Sequence, residues 1–104
     1  MILCTANRGA IPTLRDDDIV EITCDISKDG DIPHKFEVVD EQNLELIRRV
    51  KMYERLSSKA IREKSITSAV EALTMHPLVN SYSLAKKLIN DYLELNKNYV
   101  ADWR

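Results

Sequence analysis

Apolar and polar positions divide the chain into a strand-like first third and a helical remainder. Short apolar runs over Ile2–Ala6 and Ile19–Ile26, the second rich in β-branched side chains, predict two strands. Because the alternation in the second run is imperfect, we expect some burial on both of its faces. The reversal signal Lys28-Asp29-Gly30 follows. After it, His34–Val38 predicts a short edge strand with Pro33 at its start.

Three helices are predicted after Asp40, whose side chain is suited to cap the first of them. The apolar positions of the first helix recur at mostly three- and four-residue spacing and form one stripe: Leu44, Ile47, Val50, Tyr53, Leu56, Ala60 and Ile61. Thr67–Met75 predicts a second helix, and residues 82–96 a third. The fold class is therefore α+β, with two or three short strands over residues 1–38 and helices over residues 40–97.

Packing can be predicted at several positions of these elements. Ser68 and Glu71 stand at capping-box spacing near the start of the second helix. Four side chains of the helical stripes are expected to be buried where the first and third helices meet the strands: Ile47, Val50, Leu88 and Ile89. Cys4 and Cys24 lie in apolar surroundings, which favours two buried, reduced thiols over a disulfide framework.

Composition limits what the chain can do. Its 104 residues make one small domain at most. The 15 basic and 17 acidic side chains nearly balance, which gives no sign of nucleic-acid or polybasic membrane binding. Two glycines are too few for a dinucleotide-binding fingerprint, which needs three. Because the sequence shows no signal-peptide pattern and no apolar run of the ~18 residues that span a membrane, a cytoplasmic location is expected.

Few residues of this chain are candidates for binding a metal or for catalysis. His34 and His76 are far apart, with no cysteine or carboxylate at metal-ligand spacing, so no metal site is predicted. The run Asp16–Asp18 could hold a cation, but a solvated loop is the more common role, and no glycine separates the carboxylates as in a calcium loop. Cys4 has no assignable base to activate it. The residues alone indicate an α+β module without a self-contained active site.

Several motifs nevertheless resemble one family. The string NRGAIPxL over residues 7–14, followed by DDxVE over residues 17–21, resembles the C-terminal part of the NAD- and manganese-dependent glycosidases of glycoside hydrolase family 4. The 6-phospho-β-glucosidase branch is the nearest match. Tyr53-Glu54 is similar to a tyrosine–glutamate pair on the long helix of that family, and residues 76–79 are similar to its His-Pro-Leu-Val segment.

The resemblance implies a larger α/β parent that hydrolyses O-glycosidic bonds in 6-phosphoglycosides with NAD and Mn²⁺ as cofactors. It also implies that the NAD-binding half, the metal ligands and the catalytic base and acid precede the aligned portion. No catalytic, cofactor-binding or metal residue is therefore assigned here, and the chain alone is expected to be inactive. Its implied contributions are a scaffold, subunit contacts and a loop near the sugar pocket, for which Asn7, Arg8 and Gly9 are the candidates. A turn that only reverses the chain is an equal alternative for these three residues.

Two hypotheses about the whole chain stay open. In the first, it is the C-terminal portion of a 6-phospho-β-glucosidase, partnered by a missing N-terminal catalytic half and part of a homo-oligomer. In the second, it is a free-standing protein-interaction module derived from that family. Neither includes a nucleic-acid or membrane partner. The sequence leaves open the aglycone, the anomeric preference and the oligomeric state.

Overall fold

The computed structural model describes residues 1–37 and 40–104. Contacts within the chain divide it into two compact units, Met1–Arg48 and Arg49–Arg104. A three-stranded antiparallel sheet lies in the first unit, and three helices follow it along the chain. This order of elements confirms the predicted α+β class. None of the described helices is long and apolar enough to cross a membrane.

The sheet is formed by β1 (Ile2–Ala6), β2 (Ile19–Ser27) and β3 (Gly30–Pro33), with β2 in the centre. β1 has the predicted bounds, and β2 extends one residue beyond its prediction. Burial along β2 alternates from Ile19 to Cys24, the last three residues of the strand are all exposed, and Ile19 on the outer face is 54% exposed. The expectation of burial on both faces of β2 was wrong, because this sheet packs its own unit's core against one face only.

The third strand lies four positions earlier than predicted, at Gly30–Pro33 and not at His34–Val38. The reason is the turn: Ser27 pairs directly with Gly30, so pairing resumes after only two residues. Gly30 has a φ of 116°, which a glycine adopts without strain, and such a residue commonly ends a tight hairpin turn. Pro33 therefore ends the strand that it was expected to begin. Val38 lies outside the described residues.

The core of the first unit lies between the sheet and the loop that joins β1 to β2. The inward side chains of β2 pack against two buried residues of this loop, Ala10 and Ile11, and the full cluster is Ala10, Ile11, Val20, Ile22 and Cys24, with Leu3 and Leu14 packed against it. Cys24 is buried as predicted, but Cys4 is exposed. The prediction for Cys4 was wrong because Leu3 of β1 faces the core, and successive strand residues point to opposite faces. Both thiols are free.

The helices are α1 (Glu41–Glu63), α2 (Ile66–Met75) and α3 (Tyr82–Leu95). Asp40 caps α1 as predicted: its Oδ1 accepts a hydrogen bond from the backbone N–H of Gln42 at 3.1 Å. The start of α3 also agrees with the prediction, and its end lies one residue earlier.

The cap of α2 differs from the prediction. Ser65 is the N-cap, and its side chain accepts a hydrogen bond from the N–H of Ser68 at 3.1 Å. Ser68 itself is buried within the first turn. The Ser68–Glu71 capping box was therefore wrong, because the helix begins at Ile66 and the spacing that matters is counted from Ser65.

Small side chains fill the core of the second unit. The buried positions of its helices are Ala60, Ser68, Ala69, Val70, Ala72 and Ala85. The four side chains predicted to be buried, Ile47, Val50, Leu88 and Ile89, are all half-buried. That expectation was wrong for α3 because its smallest residue, the fully buried Ala85, lies at the centre of its packing surface. Leu88 and Ile89 lie at the edge of that surface and are only half-buried.

Candidate functional site

Asn7 organises the loop between β1 and β2 from inside the protein. Its side chain is completely buried. Its Oδ1 accepts from the N–H of Ile11 at 2.7 Å, and its Nδ2 donates to the carbonyls of Ile11 and Arg15 at 3.1 and 3.2 Å. Its backbone N–H donates to the carbonyl of Asp18 at 2.7 Å. The side-chain amide is fully used in holding the loop together, so Asn7 shapes the candidate site from beneath.

Arg8 and Gly9 form the tip of this loop. Their φ angles are 45° and 78°, and the N–H of Ala10 donates to the carbonyl of Asn7 at 2.8 Å. Two central residues with positive φ angles, enclosed by a hydrogen bond between the residues on either side, are typical of a type I′ turn. Glycine is favoured at the second central position of this turn. The N–H of Arg8 donates to the carbonyl of Asp16 at 3.0 Å, which fastens the turn to the rest of the loop.

The guanidinium of Arg8 is held in one orientation by three acceptors. Nη2 donates to Asp31 Oδ2 at 2.5 Å and to Thr5 Oγ1 at 3.1 Å, and Nε donates to the carbonyl of Ala6 at 3.4 Å. The side chain stays 46% exposed. Arg8 is therefore an oriented cation at the surface, whereas its neighbour Asn7 is internal.

Asp31 completes this cluster from β3. Thr5 donates its hydroxyl to the same Oδ2 at 2.6 Å. This hydrogen bond, with the charge of Arg8, holds the pKa of Asp31 below its usual value. Thr5 and Asp31 pair with Val20 and Ile26 of β2. These positions are about 20 Å apart on a flat strand, so the sheet must be strongly coiled for the two side chains to meet.

The three aspartates at the end of the loop have different surroundings. Asp16 and Asp17 are exposed, as a solvated run predicts, but Asp18 is buried. Its Oδ2 accepts from the N–H of Arg15 at 2.9 Å. The expectation of a wholly solvated run was therefore wrong at Asp18. Its carboxylate is buried because it accepts the hydrogen bond from the backbone N–H of Arg15 that stabilises this turn.

A shallow cleft of about 220 Å³ lies beside Arg8 in the first unit. Its lining residues are Arg8, Ala10, Asp31, Ile32, Pro33 and Lys35. The N–H of Phe36 donates to the carbonyl of Ala10 at 2.7 Å, which ties the segment after β3 to the loop. Sequence reasoning missed Thr5, Asp31 and Lys35. Thr5 is close to Arg8 in sequence, but Asp31 and Lys35 reach this loop only through the hairpin and the coiling of the sheet.

In the second unit, the other two motifs meet each other. The rings of Tyr53 and His76 contact edge-to-face, with centroids 4.7 Å apart. Arg49, one helical turn before Tyr53, donates from Nε to the carbonyl of Met75 at 3.1 Å and from Nη2 to the side-chain oxygen of Asn80. The His-Pro-Leu-Val segment is thus fastened at both ends to α1 within this unit.

The C-terminal segment packs along the connection between α1 and α2. The N–H of Arg104 donates to the carbonyl of Lys64 at 2.9 Å, and the N–H of Ile66 donates to the carbonyl of Arg104 at 3.0 Å. Trp103 lines an apolar cavity of about 220 Å³, whose other lining residues are Tyr53, Ser57, Ala60, Ile61, Ala69, Ala72, Leu73 and Ile89. Nothing in this cavity provides a charged group for catalysis.

The residues do not fit a manganese ion. Within residues 1–37 and 40–104 there is no group of three or more histidine, cysteine, aspartate or glutamate side chains that could hold a metal. His34 Nε2 instead lies 2.9 Å from Asp25 Oδ1, and His76 Nδ1 accepts from the N–H of Leu78 at 3.2 Å. The loop between β1 and β2 also lacks the glycine-rich turn that binds a dinucleotide, because the chain has only two glycines.

Comparison with known proteins identifies the class of protein that these motifs define. The profile of the family 4 glycosyl hydrolase C-terminal domain matches residues 1–79. The 6-phospho-beta-glucosidase BglT of Thermotoga maritima is 37% identical over 99 residues, which are 95% of this chain and 24% of that protein. The chain therefore belongs to glycosyl hydrolase family 4, as the resemblance predicted.

Solved structures agree along the whole chain. A 6-phospho-alpha-glucosidase from gut microorganisms, in complex with NAD and Mn²⁺, matches with a TM-score of 0.91 and 27% identity, over 100% of this chain and 24% of that one. The 6-phospho-beta-glucosidase of T. maritima with manganese, NAD⁺ and glucose-6-phosphate matches with a TM-score of 0.75 and 36% identity, over 96% of this chain and 26% of that one. The chain thus spans about a quarter of the length of these relatives.

Proposed function

We propose that this chain is the C-terminal part of a glycosidase that hydrolyses 6-phosphoglycosides, and that residues 1–104 act there as one module. The observation that carries the proposal is the end-to-end match to about a quarter of a 6-phospho-alpha-glucosidase at a TM-score of 0.91. NAD and Mn²⁺, which the structures of relatives contain, would be held by the missing N-terminal catalytic half. Without that half the chain has no turnover, because its own residues fit neither group.

Within that enzyme, we assign this chain a scaffold role and one loop near the sugar. The buried side chain of Asn7 is fully occupied by hydrogen bonds to backbone groups, and Gly9 provides a positive φ angle in the turn. Arg8 is the member of the candidate triplet whose side chain reaches the surface, which makes it the side chain of this triplet that could meet substrate. A phosphorylated substrate also supports a cytoplasmic location, because its charge prevents it from crossing a membrane unaided.

The test is a chimaera. Residues 1–104 replace the corresponding C-terminal region of the T. maritima 6-phospho-beta-glucosidase, and hydrolysis of p-nitrophenyl 6-phospho-β-glucoside and its α anomer is measured with NAD, Mn²⁺ and a reductant. We expect turnover by the chimaera, and none by this chain alone or by the shortened enzyme. A chimaera that is soluble and binds NAD but has no turnover on either anomer contradicts the proposal, as does turnover by the isolated chain.

We further propose that the chain associates into a homo-oligomer. Several large apolar side chains of the second unit are strongly exposed, among them Leu78 at 88%, Leu95 at 78% and Tyr99 at 89%. Apolar surface of this kind favours contacts between subunits. Sedimentation equilibrium at micromolar concentration tests the proposal. A single monomeric species across the whole concentration range would refute it.

A further inference from the structure

The asparagine that follows the His-Pro-Leu-Val segment differs from the others in the state of the next backbone N–H. The chain has six asparagines. Only at Asn80 does the next N–H, that of Ser81, have no hydrogen-bond acceptor among residues 1–37 and 40–104. We propose that Asn80 is a site of spontaneous covalent modification, in which the backbone nitrogen of Ser81 displaces ammonia from the side-chain amide of Asn80.

At the other five asparagines, the next N–H is held in a hydrogen bond to a backbone carbonyl. These bonded N–H groups belong to Arg8, Leu44, Asp91, Lys97 and Tyr99. The bond from Tyr99 to the carbonyl of Asn96, for example, is 2.8 Å long. A nitrogen whose hydrogen is engaged in this way must lose that bond before it can attack a neighbouring carbon, and this cost slows the reaction.

The side chain of Asn80 is open to attack. The residue is exposed. Its Oδ1 accepts a hydrogen bond from Nη2 of Arg49, whereas its Nδ2 has no acceptor within the described part of the chain. The contact with Arg49 engages only the oxygen and draws electron density from Cγ, which favours attack on that carbon. Ammonia can leave from Nδ2 without breaking any contact.

The reaction balances with water as the only co-reactant. A bond forms between the nitrogen of Ser81 and Cγ of Asn80, and the bond between Cγ and Nδ2 breaks. Nδ2 leaves as ammonia and takes the proton of the Ser81 N–H, which leaves a cyclic imide in the main chain. Water then opens the imide at Cγ to give aspartate, or at the backbone carbonyl to give a β-aspartyl linkage. No step transfers electrons to or from an oxidant or reductant.

Both products change how the second unit holds this segment. Aspartate at position 80 places a carboxylate beside Arg49, so a neutral contact becomes an ion pair, which is the stronger kind of hydrogen bond. A β-aspartyl linkage instead adds a methylene to the main chain directly before Ser81. Ser81 caps α3 by accepting a hydrogen bond from the N–H of Leu84 at 3.3 Å, and the longer backbone displaces that cap.

The experiment incubates the full chain at neutral pH, once folded and once in urea. Peptide mapping by mass spectrometry follows the gain of about 1 Da at each asparagine. Each site is compared with itself in urea, because the intrinsic rate depends on the next side chain. Asn98 is the matched control, since it is also exposed in the second unit but the N–H that follows it is bonded.

We expect folding to leave the rate at Asn80 within about twofold of its rate in urea, and to lower the rate at Asn98 at least about fivefold. Hydrogen exchange of the Ser81 amide, measured by NMR, should likewise lie within about twofold of its rate in urea. Asn80→Gln keeps a side-chain amide but requires a larger ring, so the mass gain at this position should disappear.

Two outcomes overturn the proposal. One is a reduction of the rate at Asn80 on folding that equals the reduction at Asn98. The other is a Ser81 amide protected from exchange in the folded chain, because its nitrogen would then be bonded like the other five.

Discussion

Replacing Asn7 by alanine is the sharpest test of how the candidate loop is built. The side chain is 0% exposed and makes three hydrogen bonds with the backbone groups of Ile11 and Arg15. Alanine offers none of them. The substitution also leaves the N–H of Ile11, a buried residue, without its acceptor.

The expected cost can be worked from these contacts. A buried hydrogen bond contributes a net ~1 kcal/mol, and a buried donor left without a partner costs ~1–3 kcal/mol. For Asn7→Ala we therefore expect the free energy of unfolding of the first unit to fall by about 3 kcal/mol. That is a large share of the ~5–15 kcal/mol typical of a domain. Asn43→Ala, at an exposed position of α1, is the matched control and should stay within about 0.5 kcal/mol.

The assay must report on the first unit specifically. All four tyrosines and Trp103 lie in the second unit, so intrinsic fluorescence does not follow the loop. Hydrogen exchange of the Val20 and Ile22 amides on β2 does, and Asn7→Ala should speed it about 100-fold, which corresponds to about 3 kcal/mol. A change of less than about 1 kcal/mol at both amides would refute the assignment of Asn7 as the organiser of this loop.

Three further predictions concern other contacts. Ser65→Ala should lower the free energy of unfolding by about 1 kcal/mol through loss of the α2 cap. Thermal denaturation followed by circular dichroism measures this change, and Ser58→Ala on the exposed face of α1, the control, should have little effect. Because Thr5 and its neighbours hold the pKa of Asp31 below its usual 3.8, the ionised carboxylate stabilises the fold above about pH 4, and this contribution is lost as the pH falls through the lowered pKa. Asp31→Asn should therefore be less stable than wild type at pH 7 in urea denaturation, and the difference should shrink below pH 4; a constant difference contradicts the reasoning. Deleting residues 102–104 removes two backbone hydrogen bonds and a packed tryptophan, and should cost the second unit about 2 kcal/mol or more, seen as an earlier urea midpoint by circular dichroism.

Helices were largely predictable because their signals are local. Asp40 and the start of α3 follow from capping side chains and from apolar spacing, which act within a single turn. The predicted cap of α2 was misplaced because residues 65 and 68 are both serine, a residue that caps helices well at either position. Only the observed start of the helix at Ile66 decides between them.

Strand details were harder, since they depend on pairing between distant residues. The position of β3 depends on how many residues the turn uses, and Pro33 is equally compatible with the beginning or the end of an edge strand. Cys4 was misjudged because apolar neighbours in sequence say little about burial when alternate residues face opposite ways. The face was decided by the pairing of β1 with β2.

The candidate site was only partly predictable. The motif over residues 7–14 marked the loop, but its residues cannot show that Asn7 points inward and Arg8 outward. Asn is a residue that often bonds to its own turn, and this was the one signal that could have indicated an internal role. The charged partner of Arg8, Asp31, comes from β3, 23 positions away, and reaches it only through coiling of the sheet.

The way in which Asn7 is held also bears on chemical ageing of the chain. Deamidation of an asparagine requires the backbone nitrogen of the next residue to attack the side-chain amide carbon, with release of ammonia. Here that nitrogen, on Arg8, is bonded to the carbonyl of Asp16 at 3.0 Å, and the amide group is fixed by Ile11 and Arg15. The native fold therefore keeps the two reacting groups from rotating into position. Damage at this site should begin from molecules in which the loop has already opened, and the aspartate or isoaspartate it leaves would prevent that loop from closing again.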